Sequence, residues 1–231
     1  MLYKKWKPFY EKIVNDLDLN FKEDKDAAYL LDSILKNKQI MKTKTLENLI
    51  KNKEVVVFGA GSSLKKSINN NRKKIDKSIK IAADGVTSAL IENNIQPDII
   101  VTDLDGCVPD QIKANSKGSI ILIHAHGDNI ASLKEHVGKF KGRMIGTTQT
   151  NPSDFENLHN FGGFTDGDRA IFLAEHFKAK KIFLIGFVFD GKIGKYSFSE
   201  NKDTQMKFKK LKWCETLIHT IIKQNKNIEF L

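Results

Sequence analysis

The spacing of apolar positions changes near residue 54. Before it, Trp6, Phe9, Tyr10, Ile13, Val14 and Leu17 recur at helical intervals over residues 4–17. A second helix gathers Ala27, Leu30, Leu31, Ile34 and Leu35, with Asp24 or Asp26 as its predicted cap. A third, short helix is predicted over 45–51. After residue 54, short apolar runs alternate with amphipathic stretches. The runs predict strands at 55–58, 79–83, 98–101, 119–123, 144–147 and 181–185, with a last edge strand at 228–231. Helices are predicted between them at 63–75, 86–94, 109–114, 130–137 and 166–177, and a closing helix over 202–223. This rhythm predicts an α/β fold: a mostly parallel, Rossmann-like sheet with helices on both faces, preceded by a helical extension. The expected organisation is an extension over 1–52 and an α/β catalytic domain over 53–231.

Composition narrows this picture only modestly. The 231 residues are 40% hydrophobic and 29% charged, as in soluble globular proteins. No apolar run approaches the roughly 20 residues of a membrane span, and the first residues lack the apolar core of a signal peptide. Cys107 and Cys214 are far apart and form no metal-spaced pair, so a reducing, cytoplasmic setting is expected. The net charge is +10, yet arginine occurs only at positions 72, 143 and 169. Base reading and bidentate phosphate recognition favour arginine. The scattered lysines therefore read as a solvated surface that draws in an anionic nucleotide, not as a nucleic-acid interface.

The chemistry gathers where predicted strands end, which is where open α/β sheets bind ligands. Ile99–Val101 runs into Thr102-Asp103-Leu104-Asp105-Gly106, delivering two carboxylates one residue apart. Such hard oxygen ligands suit Mg²⁺ held against substrate phosphates. Gly59-Ala60-Gly61-Ser62-Ser63-Leu64 follows the first strand. Its glycines permit close approach of backbone to phosphate, although Leu64 stands where a dinucleotide fingerprint needs a third glycine. Asp84-Gly85 follows the second strand, and either a ribose contact or a helix cap would use Asp84. His124-Ala125-His126-Gly127-Asp128-Asn129 adds Asp128 as a further carboxylate, with the histidines read as packing or hydrogen-bonding groups. Thr147, Thr148 and Gln149 form a polar loop suited to a base or a pterin-like ring. Asp166-Gly167-Asp168-Arg169 repeats the acidic pair at a helix start, beside an arginine that can neutralise phosphate charge.

These segments resemble two related families. Ala83-Asp84-Gly85, Pro97-Asp98 through Asp105 and the later Asp128 are similar to thiamin pyrophosphokinases, from which Thr102, Gly106 and the histidine-rich turn depart. The fuller resemblance is to the archaeal 6-hydroxymethyl-7,8-dihydropterin pyrophosphokinases of the DUF115 group. It rests on the Gly59–Leu64 turn, Thr102-Asp103-Leu104-Asp105-Gly106, His124–Asn129, Gly162-Gly163-Phe164-Thr165-Asp166-Gly167-Asp168-Arg169-Ala170, Gly186–Asp190 and Gly194–Ser197.

That resemblance implies a thiamin-pyrophosphokinase-type sheet and Mg²⁺-dependent transfer of diphosphate from ATP to the pterin hydroxymethyl group, releasing AMP, in folate or methanopterin synthesis. It implies Asp103, Asp105 and Asp128 as metal ligands, with Asp166 and Asp168 as further candidates. Asp128 or Asp168 would accept the hydroxyl proton, and Arg169 would stabilise phosphate charge. Gly59, Gly61, Ser62, Ser63, Leu64, Asp84, Gly85, Thr147, Thr148 and Gln149 would hold nucleotide or pterin. A homodimer is expected. The alternatives are a thiamin-pyrophosphokinase-like enzyme with another acceptor and a nucleotide-sugar glycosyltransferase, since Asp-x-Asp with a divalent cation serves that chemistry as well.

Overall fold

A computed structural model describes residues 3–189, 194–197 and 204–231. Three helices, α1 (Tyr3–Leu17), α2 (Phe21–Leu35) and α3 (Thr43–Ile50), precede the first strand, β1 (Glu54–Phe58). Then follow α4 (Leu64–Asn70), α5 (Arg72–Lys77), β2 (Ile79–Ala83), α6 (Val86–Glu92), β3 (Ile99–Thr102), α7 (Val108–Ser116) and β4 (Ile120–Ala125). The chain continues through α8 (Ile130–His136), β5 (Met144–Thr148), β6 (Leu158–His159), α9 (Asp166–His176), β7 (Lys181–Ile185), α10 (Thr204–Gln224) and β8 (Ile228–Phe230).

The eight strands form one sheet in the order β6-β5-β4-β3-β2-β1-β7-β8, with every pairing parallel. Parallel strands buried on both faces need unbroken apolar runs, and Ile120–Ile123 and Val55–Phe58 are fully buried. Alternation along the strands then splits the apolar residues between two faces. Val55, Val57, Ile81, Ile99, Val101, Ile182 and Leu184 share one core with Trp6, Tyr10, Ile13 and Leu17 of α1 and with α9 and α10. Ile100, Ile121 and Ile123 face the other way and pack with Ala27, Ala28, Leu31 and Leu35 of α2. The N-terminal helices thus divide between the two faces. The segment between α2 and α3 is tied to the sheet where the Met41 N–H donates to the Met144 carbonyl at 2.9 Å.

The predictions place seven of the eight strands within a residue or two of their observed bounds, β8 ending one residue earlier than expected. β6 is missed because two residues carry no period. The predicted helix over 63–75 divides at Asn71, whose side chain and N–H both bond the Ser67 carbonyl, at 2.9 and 3.1 Å. The expected caps of α2 are corrected: Asn20 caps it, accepting from the Lys22 N–H at 3.0 Å, and Asp24 and Asp26 lie inside the helix. The predicted start of the closing helix at Lys202 falls outside the described residues.

Candidate functional site

β1 lies between β2 and β7, so the chain lays strands outward on one side of β1 and then returns to the other. Such a reversal opens a crevice at the carboxyl ends of the strands. Here the Gly59 N–H donates to the Ile185 carbonyl at 2.8 Å and the Gly61 N–H to the Gly186 carbonyl at 2.7 Å. A Cβ on Gly61 would stand 2.5 Å from the Gly186 oxygen, so the two strand ends meet this closely only without a side chain there. A cleft of about 550 Å³ runs from this point across the ends of β1, β2, β3 and β4. At the ~4.8 Å spacing of neighbouring strands, the loops from β4 to β7 span about 19 Å.

Asp84, Asp103 and Asp166 converge in the middle of the cleft, each offering an oxygen within 4.8 Å of the others. Two of them sit beside strained backbone: Asp84 itself has φ +42° and Leu104 has φ +67°. Left-handed backbone at a non-glycine residue costs energy and concentrates at functional sites. Gly106 is required by the same packing, because a Cβ there would lie 2.2 Å from the Asp84 carboxylate. Asp84 accepts from the Thr102 hydroxyl at 2.6 Å and from the Gln111 amide at 2.8 Å. Burial, then the charges of Asp105 and Asp103, push its carboxyl up to about 8. Burial and the Asp103 charge push Asp166 well above the carboxylate range, against the pull of Arg169, which donates to it at 3.1 Å. Crowded, desolvated carboxylates with raised pKa values are a set a hard divalent cation would relieve.

Asp105, Gly85 and Gln149 line this cleft, as do Gly59, Gly61 and Arg169. Asp128 also reaches it, but its side chain is 65% exposed and is paired at the rim with Lys210 at 3.4 Å. His126 carries an Asp103 contact at 3.1 Å. Six expected site residues fall elsewhere. Asp168 is fully buried and caps α9: it accepts from the Phe164 N–H, the Thr165 N–H at 3.0 Å and the Thr165 hydroxyl at 2.7 Å. Residues i and i+2 of a helix point in different directions, so Asp166 enters the cleft and Asp168 does not. Ser62 and Ser63 stand outside the cleft lining and Leu64 is core. Ser63 precedes α4 but makes no side-chain cap bond. Thr147 and Thr148 are buried, bonded to His124 at 3.0 Å and to Thr150 at 2.9 Å. The Gly186–Asp190 motif reaches the cleft through Phe187 and Phe189, and its Asp190 lies outside the described residues.

Sequence reasoning missed two parts of the site. Asp24 and Glu23 of α2 line the cleft, although the extension carries no motif. Lys207, Phe208 and Lys210 of α10 line it as well. Such residues are brought in by tertiary packing and leave no local signal.

Comparisons with known proteins identify the family. The sequence model of the family described as "6-hydroxymethylpterin diphosphokinase MptE-like" matches residues 29–192. Three archaeal proteins, each named 6-hydroxymethyl-7,8-dihydropterin pyrophosphokinase, are similar over most of their length. The Methanocaldococcus jannaschii protein is 43% identical over 99% of this chain and 98% of its own. The Pyrococcus furiosus protein is 44% identical over 94% and 93%. The Methanothermobacter thermautotrophicus protein is 39% identical over 83% and 81%.

Proposed function

This chain belongs to the family of MptE-like 6-hydroxymethylpterin diphosphokinases, and from that membership we propose how its cleft carries out the transfer. The enzyme is a diphosphotransferase acting on 6-hydroxymethyl-7,8-dihydropterin. We take ATP as the donor and Mg²⁺ as the metal. The observation that carries the reading is the convergence of Asp84, Asp103 and Asp166 halfway along a two-ended cleft.

The two ends differ in chemistry. Gly59, Ala60 and Gly61 with Phe187, Phe189 and Tyr196 offer bare backbone and aromatic faces, which suit a nucleoside and its phosphates. The opposite end, with Asn20, Glu23, Gly127 and Ser132, offers acceptors for the several N–H groups of a pterin. With substrates so placed, the hydroxymethyl oxygen forms a bond to the β-phosphorus and the bond from that phosphorus to the α-phosphate oxygen breaks, leaving AMP. Asp84, Asp103 and Asp166 would hold the Mg²⁺, and Asp105 extends the negative field beside them. A bound Mg²⁺ supplies neutralisation of charge on the phosphates. Lys207 and Lys210 draw the anionic donor in. Asp128 is our choice to accept the hydroxyl proton, because Asp168 is committed to its helix cap.

No helix among the described residues is long and apolar enough to cross a membrane, and a cytoplasmic site of action is part of the proposal. So is a homodimer. The apolar faces of α1 and α2 are buried within the chain. Among the described residues, Phe21 and Tyr29 of α2, Phe208 of α10, Phe230 of β8 and Leu231 are the large apolar side chains exposed to support it.

Mass spectrometry of reactions containing ATP, Mg²⁺ and either 6-hydroxymethyl-7,8-dihydropterin or thiamin tests the reading. AMP together with pterin diphosphate is expected. Diphosphate on thiamin alone would refute the acceptor, and absence of AMP would refute the donor.

A further inference from the structure

Asp24 belongs to α2, outside the strand-end motifs, yet it is only 4% exposed. No ion pair reaches it among the described residues. Three donors from three parts of the chain do. The Tyr10 hydroxyl of α1 and the Gln149 side-chain amide both donate to Oδ2, the latter at 2.7 Å, and the Gly127 N–H donates to Oδ1 at 2.8 Å. A buried carboxylate without a cation is expensive to keep, so its hydrogen bonds define what it is kept for.

Gln149 is the informative partner. Its amide nitrogen is committed to Asp24, which turns its Oε1 toward Arg169, and Arg169 donates to that oxygen at 3.2 Å. The other arm of Arg169 donates to Asp166 at 3.1 Å. The Trp6 indole N–H holds the Gln149 backbone carbonyl at 3.0 Å. The path from the extension to the acidic cluster is therefore continuous: Asp24, Gln149, Arg169, Asp166. Each link has one polarity, because a carboxylate only accepts, a guanidinium only donates, and the amide between them must face one way.

We propose that Asp24 is a positioning residue of the active site, which fixes the orientation of Gln149 and through it the Arg169–Asp166 pair that shapes the divalent-cation site. The inference rests on the metal reading of Asp84, Asp103 and Asp166 given above. It also gives the helical extension a function: α1 and α2 complete the site.

Polarity supplies the test. In Asp24→Asn, an NH₂ group must replace one oxygen. Set toward Gly127, it meets an N–H. Set toward Gln149, it forces the amide to turn and present its own NH₂ to Arg169. Adding Gln149→Glu reverses the link: the amide introduced at position 24 donates to the new carboxylate, which still accepts from Arg169.

Manganese affinity is measured by electron paramagnetic resonance, beside kcat, the KM for the pterin and the thermal midpoint. Asp24→Asn should weaken Mn²⁺ binding and lower kcat, each by about tenfold, while the KM for the pterin moves less than threefold. Asp24→Asn with Gln149→Glu should recover most of both losses. Gln149→Leu leaves Asp24 two of its donors and should share the Mn²⁺ loss, which covers the case in which Asp24→Asn fails to fold. Wild-type Mn²⁺ affinity in Gln149→Leu, or in a folded Asp24→Asn, overturns the inference. So does a double variant whose losses are the sum of the single ones. Absence of Mn²⁺ binding by the wild-type protein overturns the metal reading itself and this inference with it.

Discussion

Asp84 concentrates the tension between stability and function in this protein. Its carboxylate is buried against Asp103 and Asp166 while Thr102 and Gln111 hold it in place. Without a cation this arrangement opposes folding, since like charges a few ångströms apart repel in a poorly solvated site. Asp84→Asn keeps an oxygen to accept from Thr102 and Gln111 but removes the charge. In chelator at pH 8 the variant should unfold at a higher temperature than the wild type, by roughly 1–2 kcal/mol of stability at an effective dielectric near 20. It should also lose turnover, and Mg²⁺ should raise the midpoint of the wild type alone. Scanning calorimetry with and without Mg²⁺ checks this. A variant less stable than the wild type in chelator would contradict the picture of mutual repulsion. The same residue marks a limit of sequence reading. Asp84-Gly85 was legible as a strand-end acid, but its partnership with Asp166, 82 positions away, was not. The D-x-D of 166 and 168 looked like that of 103 and 105, yet a helix start sends its two acids in different directions.

At the scale of elements, the seam between β4 and β5 carries a second electrostatic consequence. His124 pairs in register with Thr147 inside the sheet and shares a hydrogen bond of 3.0 Å with its hydroxyl. Burial, then the charge of Arg169, holds its pKa well below the ordinary 6.5. The sign follows from linkage. Below pH 6.5 the unfolded chain takes up a proton at this histidine and the folded sheet does not, so the stability it contributes is present above pH 6.5 and lost as pH falls. From about pH 6.5 toward 5, stability should drop by up to about 1.4 kcal/mol per pH unit from this group. His124→Asn should flatten that slope in urea titrations across the range. An unchanged slope would mean that the histidine already charges in the folded state. Elements were the most legible level of the sequence, because parallel strands buried on both faces print continuous apolar runs. β6 and the break at Asn71 were not legible, since one has two residues and the other depends on a side-chain bond to Ser67.

For the whole molecule, the arrangement of strands is what turns scattered acids into a site. Asp84, Asp103 and Asp128 follow β2, β3 and β4, and Asp166 opens α9. Only the strand order brings three of the four to one point and leaves Asp128 at the rim. The N-terminal helices read as an appendage because they hold no motif, but α1 and α2 are packed into opposite cores and Asp24 reaches the cleft. Contacts such as Asp24 to Gln149, 125 residues apart, have no local signature in a single sequence.

The measurement that bears most directly on this account is the turnover of Asp166→Asn set beside Asp168→Asn, each with its thermal midpoint. Asp166→Asn should keep its fold and lose at least about 10³-fold in diphosphate transfer, as expected when several kcal/mol of metal-derived charge stabilisation is removed. Asp168→Asn should lose about 1 kcal/mol of stability through its broken cap, yet retain turnover per folded molecule within about tenfold. The reverse pattern, with Asp166→Asn active and Asp168→Asn folded but inactive, would contradict the assignment of Asp84, Asp103 and Asp166 as the centre of the reaction.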